Sequence, residues 1–142
     1  MQPTLQNVYR DVIFYNLIGW RNVSAMSLED LEKAYNGTGP EFLPAPIRQK
    51  LDSICRPFLP AVMVHDVDYT RSDGTVGSFR TTNQHLLCNC ITCAMHAHPW
   101  YSWRRYALVL EACVIYRACS KFGWIVWRSA YHRNVAASAT SD

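Results

Sequence analysis

Phe58-Leu59-Pro60-Ala61-Val62-Met63-Val64-His65-Asp66-Val67-Asp68-Tyr69 is the stretch on which the reading of this 142-residue chain turns. Pro60 suits the first turn of a helix, where no backbone N–H is needed. The spacing predicts a helix from Pro60 to Tyr69. On it His65 and Tyr69 are four apart and share a face. Val62 and Phe58 continue that stripe, so the His65 face looks inward. Asp66 lies about 100° further round. An imidazole and a carboxylate therefore sit side by side and point differently. A carboxylate can hold a hard cation while an imidazole takes a proton from water. By itself the pattern is weak, because a His on an apolar helix face is more often a packed core residue. His-Asp pairs also occur in metal phosphohydrolases, which need further ligands. Here His85, His96 and His98 are available, but no second His-Asp pair is.

Upstream, Val8, Val12, Ile13, Tyr15 and Leu17 predict an amphipathic helix over Asn7 to Trp20. Ser27 before Leu28-Glu29-Asp30 is a capping signal for a short helix to about Tyr35. Asn36-Gly37-Thr38-Gly39-Pro40 breaks it. Pro46 suits the first turn of a helix reaching about Cys55. Downstream, residues 72–77 read as a flexible loop. Thr81 or Thr82 is expected to cap a helix running to about His98, stopped by Pro99. Trp103 to Phe122 reads as a last long helix, ended by Gly123. The expected fold is all-α: one helical domain over residues 1–134 and a flexible Ala/Ser/Thr-rich tail over 135–142.

A hydrophobic fraction of 49% against 18% charged excludes global disorder. A net charge of +3 does not point to nucleic acid, but suits weak attraction to an anionic membrane surface. Aromatic residues crowd the last third at Trp100, Tyr101, Trp103, Tyr106, Trp124, Trp127 and Tyr131. They suit core packing or an interface. The first residues show no secretory signal. The best apolar stretch, residues 107–127, contains Glu111, Arg117 and Lys121, so no transmembrane segment is expected.

The six cysteines are expected as reduced thiols. Cys88-x-Cys90-x-x-Cys93-x-x-His96-x-His98 has the composition of a soft-metal site. On a helix, however, Cys88 and Cys90 lie about 200° apart and cannot share an ion. Cys90 and Cys93 share a face and lack two further partners there.

The order of these parts resembles the phospholipase A2-like superfamily, in particular its small bacterial and phage-encoded members. The resemblance rests on the glycine-bearing loop Asn36 to Pro44, then Phe58-Leu59-Pro60-Ala61, then His65-Asp66. Further on come Asp73-Gly74, Phe79 and Thr82-Asn83-Gln84-His85-Leu86-Leu87-Cys88-Asn89. It covers roughly Tyr35 to Asn89 and implies two core antiparallel helices, a Gly-rich loop and additional packed helices. It implies that His65 is a general base and that Asp66 ligates Ca²⁺ with oxygens from Asn36, Gly37 and Gly39. Tyr69 would then support the hydrogen-bond network, and the reaction would be hydrolysis of a glycerophospholipid acyl ester. The implied partners are a phospholipid or membrane surface and other virion proteins.

Three departures stand out. The family ties its calcium loop to the helix by a disulfide; the matching positions here are Thr38 and Val62. Its second helix offers an Asp that orients the His; here the match is Asn83, with Asn89 as the fallback. No export signal is seen, which places the expected protein in a virion or the host cytoplasm. The alternative to an enzyme is a catalytically weakened structural component of a phage particle, such as a tail protein.

Overall fold

A computed structural model describes residues 4–19, 23–35 and 44–140. Among them every regular element is helical: α1 (Leu5–Phe14), α2 (Leu28–Ala34), α3 (Ala45–Cys55), α4 (Leu59–Thr70), α5 (Val76–Ala97) and α6 (Trp103–Ala139). Short 3₁₀ turns at Val23–Ala25 and Arg56–Phe58 precede α2 and α4. No described helix is long and apolar enough to cross a membrane.

α1 is shorter than its pattern suggested. Thr4 caps it, and it stops at Phe14 because Asn16 takes a left-handed conformation, φ 51°. Asn tolerates that region better than other side-chain-bearing residues. The chain beyond is held elsewhere. Asn89 on α5 accepts from the Ile18 N–H at 2.9 Å and donates to the Ile18 carbonyl at 2.7 Å. α2 begins as expected at the Ser27 cap, where Ser27 Oγ accepts from the Asp30 N–H. α3 carries Pro in its first turn and ends at Cys55, also as expected.

α4 is the central element. Nine of its twelve residues, from Pro60 to Tyr69 except Asp66, are buried. On one side Met63, Val64 and Val67 join Val8, Val12 and Leu31. On another Ala61 and Val62 join Phe58, Leu86, Cys90 and Ala94. α5 runs antiparallel to α4: His65 meets Asn83, and Tyr69 faces Phe79 with ring centroids 6.4 Å apart.

α5 starts earlier than the expected Thr81 or Thr82 cap. The loop closes at Thr75, whose Oγ1 accepts from the Ser78 N–H. Asp73 accepts from the Thr75 N–H and hydroxyl through Oδ1 and from the Ser78 hydroxyl through Oδ2. Val76 and Gly77 are therefore helical. Gly74 has φ +73°, and a Cβ there would stand 2.8 Å from the Tyr131 ring. It is required both by the turn and by the approach of α6.

α6 is longer than expected at its C-terminal end and does not stop at Gly123. It passes over the hydroxyl of Tyr69 there, and a Cβ on Gly123 would collide with that oxygen. The glycine permits a close crossing and is not a helix stop. Trp127 then packs edge-on against Tyr69 at 5.2 Å, and Trp124 against Phe79 at 5.2 Å. Residues Val135–Ala139, expected in the tail, are helical. Asn134 anchors this end by donating to the Thr70 carbonyl at 2.9 Å.

Candidate active site

The site forms where α4 and α5 cross beneath α6. Asn83, 1% exposed, holds the centre. Its Nδ2 donates to the Phe79 carbonyl one turn back, at 3.0 Å. That fixes which end of the amide faces α4: Oδ1 lies 3.1 Å from His65 Nε2 and accepts from Tyr69 Oη at 3.4 Å. An amide oxygen can only accept, so His65 Nε2 carries the proton and Nδ1 is the basic nitrogen. His65 also lies against the Tyr69 ring, centroids 4.3 Å apart.

Burial dominates the electrostatics. It pushes the His65 pKa down to about 4, and the hydrogen bond to Asn83 only partly opposes this. Burial also raises Tyr69 above the usual phenol range. Asp66 is held well above the usual carboxylate range, because its surroundings offer the charged form little. Its Oδ2 is buried without a hydrogen-bond partner.

The structure thus brings His65, Tyr69 and Asn83 together and leaves Asp66 adjacent in sequence on the same helix. Asn89, the fallback for the orienting role, instead clasps Ile18. Asn36, Gly37, Thr38 and Gly39 lie outside the described residues. Val62 packs in the core. Among the described residues no three His, Cys, Asp or Glu side chains gather as a metal site. Asp66 Oδ2 is a buried carboxyl oxygen with no hydrogen-bond partner, and burial favours its neutral form.

Two parts of the site were not read from the sequence. The Phe79 carbonyl orients Asn83, and its signal was an Asn in mid-helix, which often bonds back four residues. Gly123 clears space for Tyr69 Oη, and its signal was a lone Gly inside a long apolar pattern.

The cysteine and histidine run disperses. Cys88 is exposed, while Cys90 and Cys93 enter the core beside Cys55, with Cys119 packed against it. His96 stacks on Tyr15 at 4.3 Å and 14°. All six cysteines are free thiols, and burial pushes Cys93 up to about 11 and Cys119 up to about 12. Comparison of the chain with family models, with curated proteins and with solved structures gives no match.

Proposed function

We propose that this chain is a phospholipase A2-like protein that hydrolyses an acyl ester of a glycerophospholipid in a Ca²⁺-dependent way, with low intrinsic activity. The observation that carries the reading is the pair His65 Nε2 to Asn83 Oδ1, 3.1 Å, braced by Tyr69 Oη on the same oxygen. This arrangement leaves Nδ1 of a neutral imidazole free to act as a base.

In the proposed reaction His65 Nδ1 takes a proton from water as the water oxygen bonds to the ester carbonyl carbon. The C–O bond to the glycerol oxygen then breaks, and His65 returns the proton to that leaving oxygen. Tyr69 and Asn83 keep the ring in register throughout. Asp66 would hold the cation, together with oxygens of the Asn36 to Glu41 loop. When bound, a hard divalent cation polarises the carbonyl and offsets the developing oxyanion charge.

The same geometry sets the weakness. A neutral amide orients His65 but supplies no charge to stabilise the imidazolium formed in the reaction. A base held near pKa 4 also gains little by taking a proton at neutral pH. This supports a second reading, a structural or interaction protein of a phage particle that keeps the fold after catalysis has faded.

Calcium-dependent hydrolysis of phospholipid by wild type, Asn83→Asp and His65→Ala distinguishes the two. The enzyme reading expects activity in wild type, a gain of at least about tenfold in Asn83→Asp, on the order of 1.4 kcal/mol of barrier, and none in His65→Ala. No hydrolysis by either of the first two proteins in saturating Ca²⁺ would favour the structural reading.

A further inference from the structure

We propose that the turn between α5 and α6, with the outer face of α6 behind it, is a docking surface for anionic lipid bilayers. This holds whether or not the His65 site hydrolyses anything.

The turn and the first residue of α6 expose three aromatic side chains: Trp100, Tyr101 and Trp103, at 73%, 74% and 73%. They are not on a loose loop. The Ser102 N–H donates to the Pro99 carbonyl, the Arg105 N–H to the Ser102 carbonyl, and Tyr106 Oη to the Trp100 carbonyl at 3.0 Å. Exposed Phe14 on α1 meets His96 on the last turn of α5 edge-on at 6.1 Å. Large aromatic groups held outward by backbone hydrogen bonds are costly to leave in water and suit an interface with an apolar interior and a polar rim.

The surface extends along α6. Trp103, Tyr106, Leu110 and Val114, spaced three or four apart, share one face, and all are exposed. The opposite face, through Leu108, Ala112 and Ile115, packs in the core. α6 is thus apolar on two sides, and only one of them is covered among the described residues.

Charge selects the occupant. α6 carries Arg104, Arg105, Arg117, Lys121, Arg128 and Arg133 against Glu111 alone, a formal +5. The chain's net +3 leaves −2 for everything else, so the positive charge is concentrated on this helix. Arg117, Lys121 and Arg128 continue the line of Trp103 to Val114 at helical spacing. A second copy docking this face on itself would bring like charges together. An anionic bilayer takes the aromatic groups at its headgroup level and the guanidinium and ammonium groups against its phosphates.

The test is flotation of the full chain with vesicles of phosphatidylcholine, alone or with phosphatidylserine replacing part of it. Wild type is expected to partition onto the anionic vesicles, less so at high salt, and weakly onto the neutral ones. Trp100→Ser/Trp103→Ser, at exposed positions, is expected to lower partitioning by at least about tenfold with an unchanged melting temperature. Arg104→Gln/Arg105→Gln is expected to weaken binding to the anionic vesicles only. His65→Ala is expected to partition like wild type, which separates this proposal from the hydrolysis reading. Absence of partitioning, or equal partitioning by the double-Trp variant, overturns it. So does a wild-type dimer in sedimentation that fails to bind vesicles and that Trp100→Ser/Trp103→Ser dissociates, which would assign the face to a second copy.

Discussion

α4 and α6 are both rich in apolar residues and meet opposite fates. Nine of twelve α4 residues are buried, whereas α6 buries only Ala112, Trp127 and Ala130 of its thirty-seven. The short helix is packed on all sides, so every polar group on it has to find a partner or change its protonation. That pressure gives His65 its amide partner and depresses its pKa, and it leaves Asp66 needing one. The long helix touches the core along a strip and leaves the rest of its apolar surface outside. The proposed function of α4 therefore rests on buried chemistry, and that of α6 on exposed surface.

Two tryptophans on α6 sharpen the contrast most. Trp127 is fully buried against Tyr69 and Phe79, and Trp103 is 73% exposed. Trp127→Ala is expected to cost about 3–5 kcal/mol of unfolding free energy. Trp103→Ala is expected to stay within about 0.5 kcal/mol of wild type. Urea unfolding of both checks this, and similar losses in the two would break the comparison.

The burial of His65 is next in size. Its pKa is about 4 in the folded chain against 6.5 unfolded. Above 6.5 neither state binds the proton. As pH falls from 6.5 towards 4 the unfolded state takes it up and the folded state does not, so stability is lost. The loss is on the order of 3 kcal/mol for this group. It should appear as the difference between wild type and His65→Gln, unfolded across pH 7 to 4 with chelator present. Asp66, whose raised pKa acts in the opposite direction, is common to both proteins. Parallel pH profiles would place His65 in water.

Glycines give the smaller effects. Gly123→Ala places a methyl group on Tyr69 Oη, which must move or push α6 away, at an expected cost of about 1–3 kcal/mol. Gly77 lies in the first turn of α5 with open space around it. Gly77→Ala is expected to stabilise by about 0.4–1 kcal/mol. Thermal melts of the two should shift in opposite directions.

The parts legible in the sequence were those set by local chemistry. Ser27 marked the start of α2, prolines marked α3 and α4, and the four-residue spacing of His65 and Tyr69 placed them on one face. The parts that were not legible depend on distant neighbours. α1 ends early at the left-handed Asn16, and the chain beyond it is held by Asn89, 71 residues from Ile18. α6 runs through Gly123 because a tyrosine on another helix needs the space. α5 starts early because Asp73 and Thr75, inside the expected loop over 72–77, build a polar cap with Ser78. Asn83 could be aligned with an orienting position, but the Phe79 carbonyl that sets its amide was not foreseen.

The central claim is that Asn83 holds His65 in the Nε2–H tautomer without supplying charge. Imidazole ¹⁵N shifts of His65, followed through a pH titration in wild type and Asn83→Asp, test it directly. The account expects a protonated Nε2 and an unprotonated Nδ1 in both proteins at neutral pH. It expects a wild-type titration near pH 4 that moves upward in Asn83→Asp. A neutral ring protonated at Nδ1, or a titration unchanged by Asn83→Asp, would contradict it.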